Sequence, residues 1–304
     1  MKTISCILPL SAWLLAPLML GIINRIKAFF AGRQGQSVFQ LYYDLAKLLK
    51  KGSVYSRTTS RVFRYVPSVV LSAMVLATLM IPWGGLPAPV SFAGDLILLA
   101  YLLGAARFAM VLAALDTGSS FEGMGASREV QFAALAEPSL FLGMVVLAIQ
   151  TGHGGLSDIF ASLTSASWQS APALLFLVAC SWMVLLLCEN SRIPIDDPNT
   201  HLELTMIHEV MVLDYGGPDL GYMLYAAALK LWIFSALLVN LLVPSQLIGH
   251  WMQIPLFLVG MVIMATLVGV VESIMARLRL MQVPNLLIGA GALGAMVLIL
   301  KLVG

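Results

Sequence analysis

Only 11% of the 304 residues are charged and 60% are hydrophobic, against roughly a quarter charged in soluble domains. A water-soluble globule is excluded. The net charge of +2 gathers in one early loop, which fits anionic lipid headgroups and gives no basic face for nucleic acid.

In chain order, eight apolar stretches approach the roughly 20 residues that cross a bilayer. They fall at about 4–24, 65–82, 93–115, 132–151, 171–189, 220–243, 253–273 and 284–302. In lipid each must satisfy its own backbone, so each is read as a helix. The alternating segments of a barrel do not appear. The expectation is an all-α polytopic membrane protein with a single membrane domain over 1–304. The first stretch is too long for a signal peptide core and lacks a small-residue cleavage site before Asn24. Cys6, Cys180 and Cys188 lie in or beside spans, at spacings that suit neither zinc nor a disulfide framework.

The links alternate in charge. Arg25, Lys27, Arg33, Lys47, Lys50, Lys51, Arg57, Arg61 and Arg64 follow the first span. Arg128, Arg192, Arg277 and Arg279 follow spans three, five and seven, whereas the links after spans two, four and six carry no Lys or Arg. By the positive-inside rule the charged loops are cytoplasmic and both termini lie outside, in a cell inner (plasma) membrane. The outer links, such as Trp83–Pro89 and Thr151–Gly155, read as plain connectors.

Two inner segments have helical patterns. Ser37 to Lys51 places Val38, Leu41, Leu45, Leu48 and Leu49 on one stripe, as in an amphipathic helix lying along a membrane. A second helix is expected from Asp196-Asp197-Pro198 to Gly216-Gly217-Pro218, an acidic cap with Pro at the first turn and a Gly–Pro stop. There Glu203, Ile207, Val210 and Asp214 would share one face, and His201, Thr205, His208 and Val212 another. The two histidines are seven residues apart, too far for a helical metal pair, and no metal site is expected.

Charges within spans stand out, since one at mid-bilayer costs at least about 2.5–3.5 kcal/mol. Lys230 lies mid-span, Arg107 well inside its span, and Glu137 roughly 7 Å deep. Asp95, Glu189 and Glu272 lie nearer span ends, where capping is an equal reading, as a structural salt bridge is for Arg107. A line of such groups running from an acidic loop into the bilayer suits proton movement. No phosphate loop, nucleophile elbow or cysteine cluster is present, so no cofactor is expected in this chain.

Arg192-x-Pro194-x-Asp196, then Glu203-Leu204 and Asp214-Tyr215-Gly216, resembles the Arg-x-Pro-Phe-Asp, Glu-Leu and Glu-Tyr-Ser loop of the complex I subunit 1 family. It is closer to the membrane subunits of formate hydrogenlyase and hydrogenase-4 complexes in that family. Arg33 to Lys47, Leu115 to Ser119 with Gly125 to Glu129 and Glu137-Pro138, Leu229-Lys230, and Glu272 to Arg279 match in the same order. The resemblance implies a subunit joining soluble hydrogenase-like large and small subunits to antiporter-like and small membrane subunits. It implies a proton path through Glu137, Glu189, Asp196, Glu203, Asp214 and Lys230, with Arg128, Glu129 and Arg192 as loop partners. Arg33, Tyr42, Asp44, Lys47, His201 and His208 are read as the docking loop, the two histidines being able to titrate or to serve as polar surface. Complex I relatives hold quinone at this interface. Here Gln36, Ile195, Asn199 and His201 depart from the family pattern and argue against that chamber, leaving quinone an open alternative. A purely structural anchor and a stand-alone ion transporter are the competing readings.

Overall fold

The computed structural model describes residues 2–196, 206–244 and 250–303. Eleven α-helices lie among them: α1 Lys2–Phe30, α2 Gln40–Leu49, α3 Arg61–Thr78, α4 Asp95–Asp116, α5 Ser120–Thr151, α6 Leu156–Ser162, α7 Ser165–Ser170, α8 Pro172–Glu189, α9 Gly217–Leu242, α10 His250–Ile274 and α11 Val283–Val303. No strand occurs among the described residues. Eight helices are long and apolar enough to cross a membrane: α1, α3, α4, α5, α8, α9, α10, and α11 with its preceding turn. The chain is a multi-pass membrane protein.

Helix α9 is the axis of the bundle, with 72% of its apolar window buried. Helices α1, α3, α8 and α10 pack directly on it. Helix α11 packs between α5 and α8, and α4 joins α3 to α5. The outward faces carry Leu14, Tyr101, Phe108, Phe176 and Ile263, all exposed, as a surface solvated by hydrocarbon requires. Without a hydrophobic drive between helices, close approach depends on small residues. A Cβ on Gly143 would lie 2.3 Å from the Trp182 indole nitrogen, and one on Gly260 would lie 2.7 Å from Val239.

The tightest approach lies where the first loop returns to α1. A Cβ on Gly21 would come 1.9 Å from the Val38 carbonyl oxygen. Backbone cannot step aside as a flexible side chain can. Gly21→Ala is expected to cost about 1–3 kcal/mol, the usual range for overpacking. The check is faster proteolysis within residues 31–39 of the variant than of wild type; equal rates would contradict it.

Helix α2 is the expected amphipathic segment, shorter than the 37–51 pattern. The Tyr42 hydroxyl donates to the Leu14 carbonyl, and Leu45 and Leu48 face Gly221 of α9. Three expectations need correction. Helix α5 begins at Ser120, not near 132, so Arg128 and Glu129 are helical. The link after α5 contains α6 and α7 and is no plain connector. The loop helix expected over 196–216 is replaced, in its described part, by a single 3-10 turn at Glu209–Val212. Packing explains the last change. Val210 and Ile207 press onto Gly125, where a Cβ would meet Val210 Cγ1 at 2.2 Å. Burying Ile207, Val210 and Met211 together against α5 overrides the helical stripe.

A buried ion-pair network at the head of the bundle

On α4, Leu99, Leu103, Ala106, Arg107, Met110 and Ala114 are buried at helical spacing, so Arg107 falls on the packed stripe. On α5, Glu129 and Glu137 are two turns apart, about 12 Å of rise, and both reach the same guanidinium. Arg107 Nε lies 3.4 Å from Glu129 Oε1, and Nη1 donates to Glu137. Its Nη2 donates to both oxygens of Glu189, at 2.6 and 2.7 Å. Lys230 of α9 completes the group, with Nζ 2.8 Å from Glu189 Oε2. Three carboxylates thus share two cations, leaving one excess negative charge.

Four of these side chains are nearly shut off from solvent, whereas Glu137 is 47% exposed. Glu137 opens onto a 460 Å³ cavity walled by Tyr101, Gly104, Phe108 and Phe141. Burial in a low-dielectric bundle makes each pair obligatory, because a lone charge there is far costlier than a matched one.

A second group ties the loop to the helix ends. Glu272 is fully buried and holds Lys27 Nζ at 2.7 Å and Arg192 Nη1 at 3.3 Å. Asp196 holds Arg277 Nη2 at 2.8 Å and accepts the Ile207 N–H at 3.0 Å. Arg128 donates to the Met206 carbonyl, 2.9 Å. Glu122 accepts the Asp214 N–H at 3.1 Å. The Tyr215 hydroxyl donates to the Phe63 carbonyl, and the two rings stack at 4.0 Å. Burial pushes the Tyr215 hydroxyl well above its ordinary range, so it stays a donor at any physiological pH.

The expected acidic chain is therefore only partly assembled. Glu137, Glu189 and Lys230 meet, with Glu129 and Arg107 as their direct partners. Asp196 belongs to the separate loop tie. Asp214 is exposed and takes no part in the ion pairs among the described residues. Glu203 and His201 lie outside the described residues. Asp95 sits at the opposite end of the bundle, where it accepts the Leu156 N–H at 2.7 Å and fastens α6 to α4. Of the docking residues, Arg33 and Lys47 are exposed, and Asp44 accepts from Gln40 at 3.0 Å. In the sequence Lys27 and Arg277 stand only as loop charges, and nothing there gives them or Glu122 a place in the site. Only the need of each buried acid for a cation could have pointed to Lys27 and Arg277.

A 230 Å³ cavity on the loop side is walled by Gly21, Gln36, Asp44, Arg192, His208 and Glu209, among others. That is below the roughly 300–1,000 Å³ of ordinary small-molecule pockets. Among the described residues no three His, Cys, Asp or Glu side chains converge as a metal site would need.

Comparison with known proteins agrees with this architecture. Formate hydrogenlyase subunit 4 of Escherichia coli (strain K12) is 33% identical over 286 residues, 89% of each chain. Hydrogenase-4 component C of the same organism is 34% identical over 232 residues, 76% of this chain and 72% of the relative. A chain of the membrane-bound sulfane sulfur reductase (MBS), an archaeal respiratory membrane complex, shares the fold with a TM-score of 0.81 over 98% of both chains, at 20% identity. The NADH dehydrogenase family model matches residues 2–302, and on that match and these identities the chain belongs to the NADH dehydrogenase subunit 1 family.

Proposed function

We propose that this chain is the membrane-anchoring, proton-coupling subunit of a complex I-like redox complex of the hydrogenase-4 type. Its loop side, taken as cytoplasmic, docks hydrogenase-like large and small subunits. Its membrane faces contact antiporter-like and small membrane subunits. The observation that carries the reading is the Arg107–Glu129–Glu137–Glu189–Lys230 network, which runs from under the loop to a half-exposed carboxylate.

The mechanism is electrostatic. A redox event in the docked arm shifts charge near the loop that holds Arg192 and Asp196. A unit charge brought to about 10 Å from a carboxylate changes its protonation by ~1.7 kcal/mol at an effective dielectric of ~20. That is roughly a fifteenfold change in proton affinity, enough to move a proton in a network already one cation short. Glu137, at the open edge, passes the proton to a neighbour. The reading needs no quinone and no cofactor in this chain.

Glu137→Gln removes the titratable edge while keeping a hydrogen-bonding group for Arg107. The complex is expected to assemble with its subunits in wild-type ratio, while coupled proton movement in sealed liposomes disappears. Wild-type proton movement in that variant would overturn the proposal. A second reading, an inert anchor, draws on the loop ties Lys27–Glu272–Arg192 and Asp196–Arg277, which need no transport to be useful.

A further inference from the structure

His208 stands at a junction. It lines the 230 Å³ loop-side cavity. It also lines a 40 Å³ cavity whose walls include Glu189, Asn190, Arg192 and Lys230, and a 30 Å³ cavity that is mainly apolar, with Arg107 and Lys230 among Val70, Met74, Leu103 and Met110. Each small cavity exceeds the roughly 10–15 Å³ that one water needs. Leu20, Ala227 and Leu231 form the rest of the 40 Å³ cavity, but among the described residues the buried Asn190 Oδ1 and Arg192 Nε of its walls have no hydrogen-bond partner. His208 Nδ1 is in the same condition. Buried polar atoms are ordinarily satisfied by protein or by ordered water, so these walls suit a short water chain.

Resting on the functional reading above, we propose that His208 is the proton-transfer side chain that joins the loop-side cavity to the Glu189–Lys230 pair. A proton from water in the large cavity binds one ring nitrogen. The proton on the other nitrogen leaves to water beside Glu189. The ring is left neutral as the opposite tautomer and resets by rotating. No electron moves and no charge is stored.

The groups facing the imidazole come from every surrounding element: Asp44 on α2, Arg107 on α4, Glu129 on α5, Glu189 on α8, Lys230 on α9, and Arg192 and Glu209 on the loop. Burial is the main cause that lowers the proton affinity of His208; Glu129 and Glu189 oppose it, and Lys230 and Arg107 add to it. The sign follows. The ring is neutral at pH 7 and keeps one nitrogen free to accept. As pH falls through its lowered value, the ring stays charged beside two cations and the relay stalls, so proton movement declines on the acid side.

The test uses the intact complex in sealed liposomes. His208→Gln is expected to slow proton translocation about a hundredfold, the low end of what a positioned proton-transfer group contributes. Added imidazole is expected to restore it in His208→Ala, a rescue that a merely structural residue would not show. Exchange of the imidazole C2 hydrogen with D₂O, followed by mass spectrometry on the wild-type complex, gives an independent readout that needs no variant to assemble. Exchange at His208 is expected to proceed, as for a water-contacted ring, and a ring sealed from exchange would overturn the inference. Wild-type translocation in His208→Gln, with none in Glu137→Gln, would overturn the His208 role alone. Wild-type translocation in both would overturn the functional reading with it.

Discussion

Replacing Arg107 with methionine is expected to destabilise the bundle by about 3–5 kcal/mol, the cost of breaking a buried pair by removing one partner. The argument rests on how many carboxylates depend on one guanidinium. Glu189 keeps Lys230, but Glu129 and Glu137 lose their cation, and the excess charge of the group rises from one to two. Glu137 is half-exposed to the cavity beside Tyr101 and Phe108, whereas Glu129 is 12% exposed and stays enclosed. Arg107→Lys is expected to recover little, because an ammonium cannot match a fork that meets three carboxylates at once. The check is the thermal midpoint of the detergent-solubilised complex and the amount of chain retained in membranes. An unchanged midpoint in Arg107→Met would show that the network carries no stability.

Glu272→Leu is the second large effect. The Glu272 side chain is fully buried and is shared by Lys27 at the end of α1 and Arg192 in the loop. Leucine fills the space but leaves two cations facing apolar surface, again costing about 3–5 kcal/mol. The loss has a place as well as a size. Residues Ser191 to Asp196 are fastened to α10 through Arg192 and to the segment that follows α10 through the Leu278 N–H to the Pro194 carbonyl, 2.8 Å. With Glu272 gone, that loop is expected to open to proteases and to water-soluble labels while the opposite end of the bundle, held by Asp95, stays closed. Glu272→Gln, which keeps an acceptor for both cations, is expected to lie between. Uniform loosening of the whole chain, or none, would contradict this.

The eight spans were legible because a bilayer demands long apolar runs. The fifth, read as 171–189, is α8 at Pro172–Glu189, and the third, read as 93–115, is α4 at Asp95–Asp116. The first three turns of α5, from Ser120 through Glu129, are not legible in the sequence. Glu122, Ser127, Arg128 and Glu129 look like loop because an apolar run marks where a span lies and not where its helix begins. Here the helix runs on beyond the apolar stretch and uses those polar residues to hold the loop and Arg107. The loop helix misled in the opposite way: over its described part, 206–216, the helical stripe is overridden by the fit of Val210 onto Gly125. Sequence marked Arg107, Glu137, Glu189 and Lys230 each as out of place. That they meet one another is tertiary, set by which faces of α4, α5, α8 and α9 turn toward one another. Glu129, a loop partner by sequence, is a partner within the bundle.

Lys230 offers the most direct measurement. Lys230→Met removes one of the two cations on Glu189, while Arg107 still holds that carboxylate by two hydrogen bonds, so the chain is expected to fold and assemble. The quantity to measure is the number of protons moved per electron pair by the reconstituted complex. A coupling network predicts that the ratio collapses in Lys230→Met at unchanged subunit composition. A ratio equal to wild type would mean that the buried charges only hold the helices together, and that this chain is an anchor.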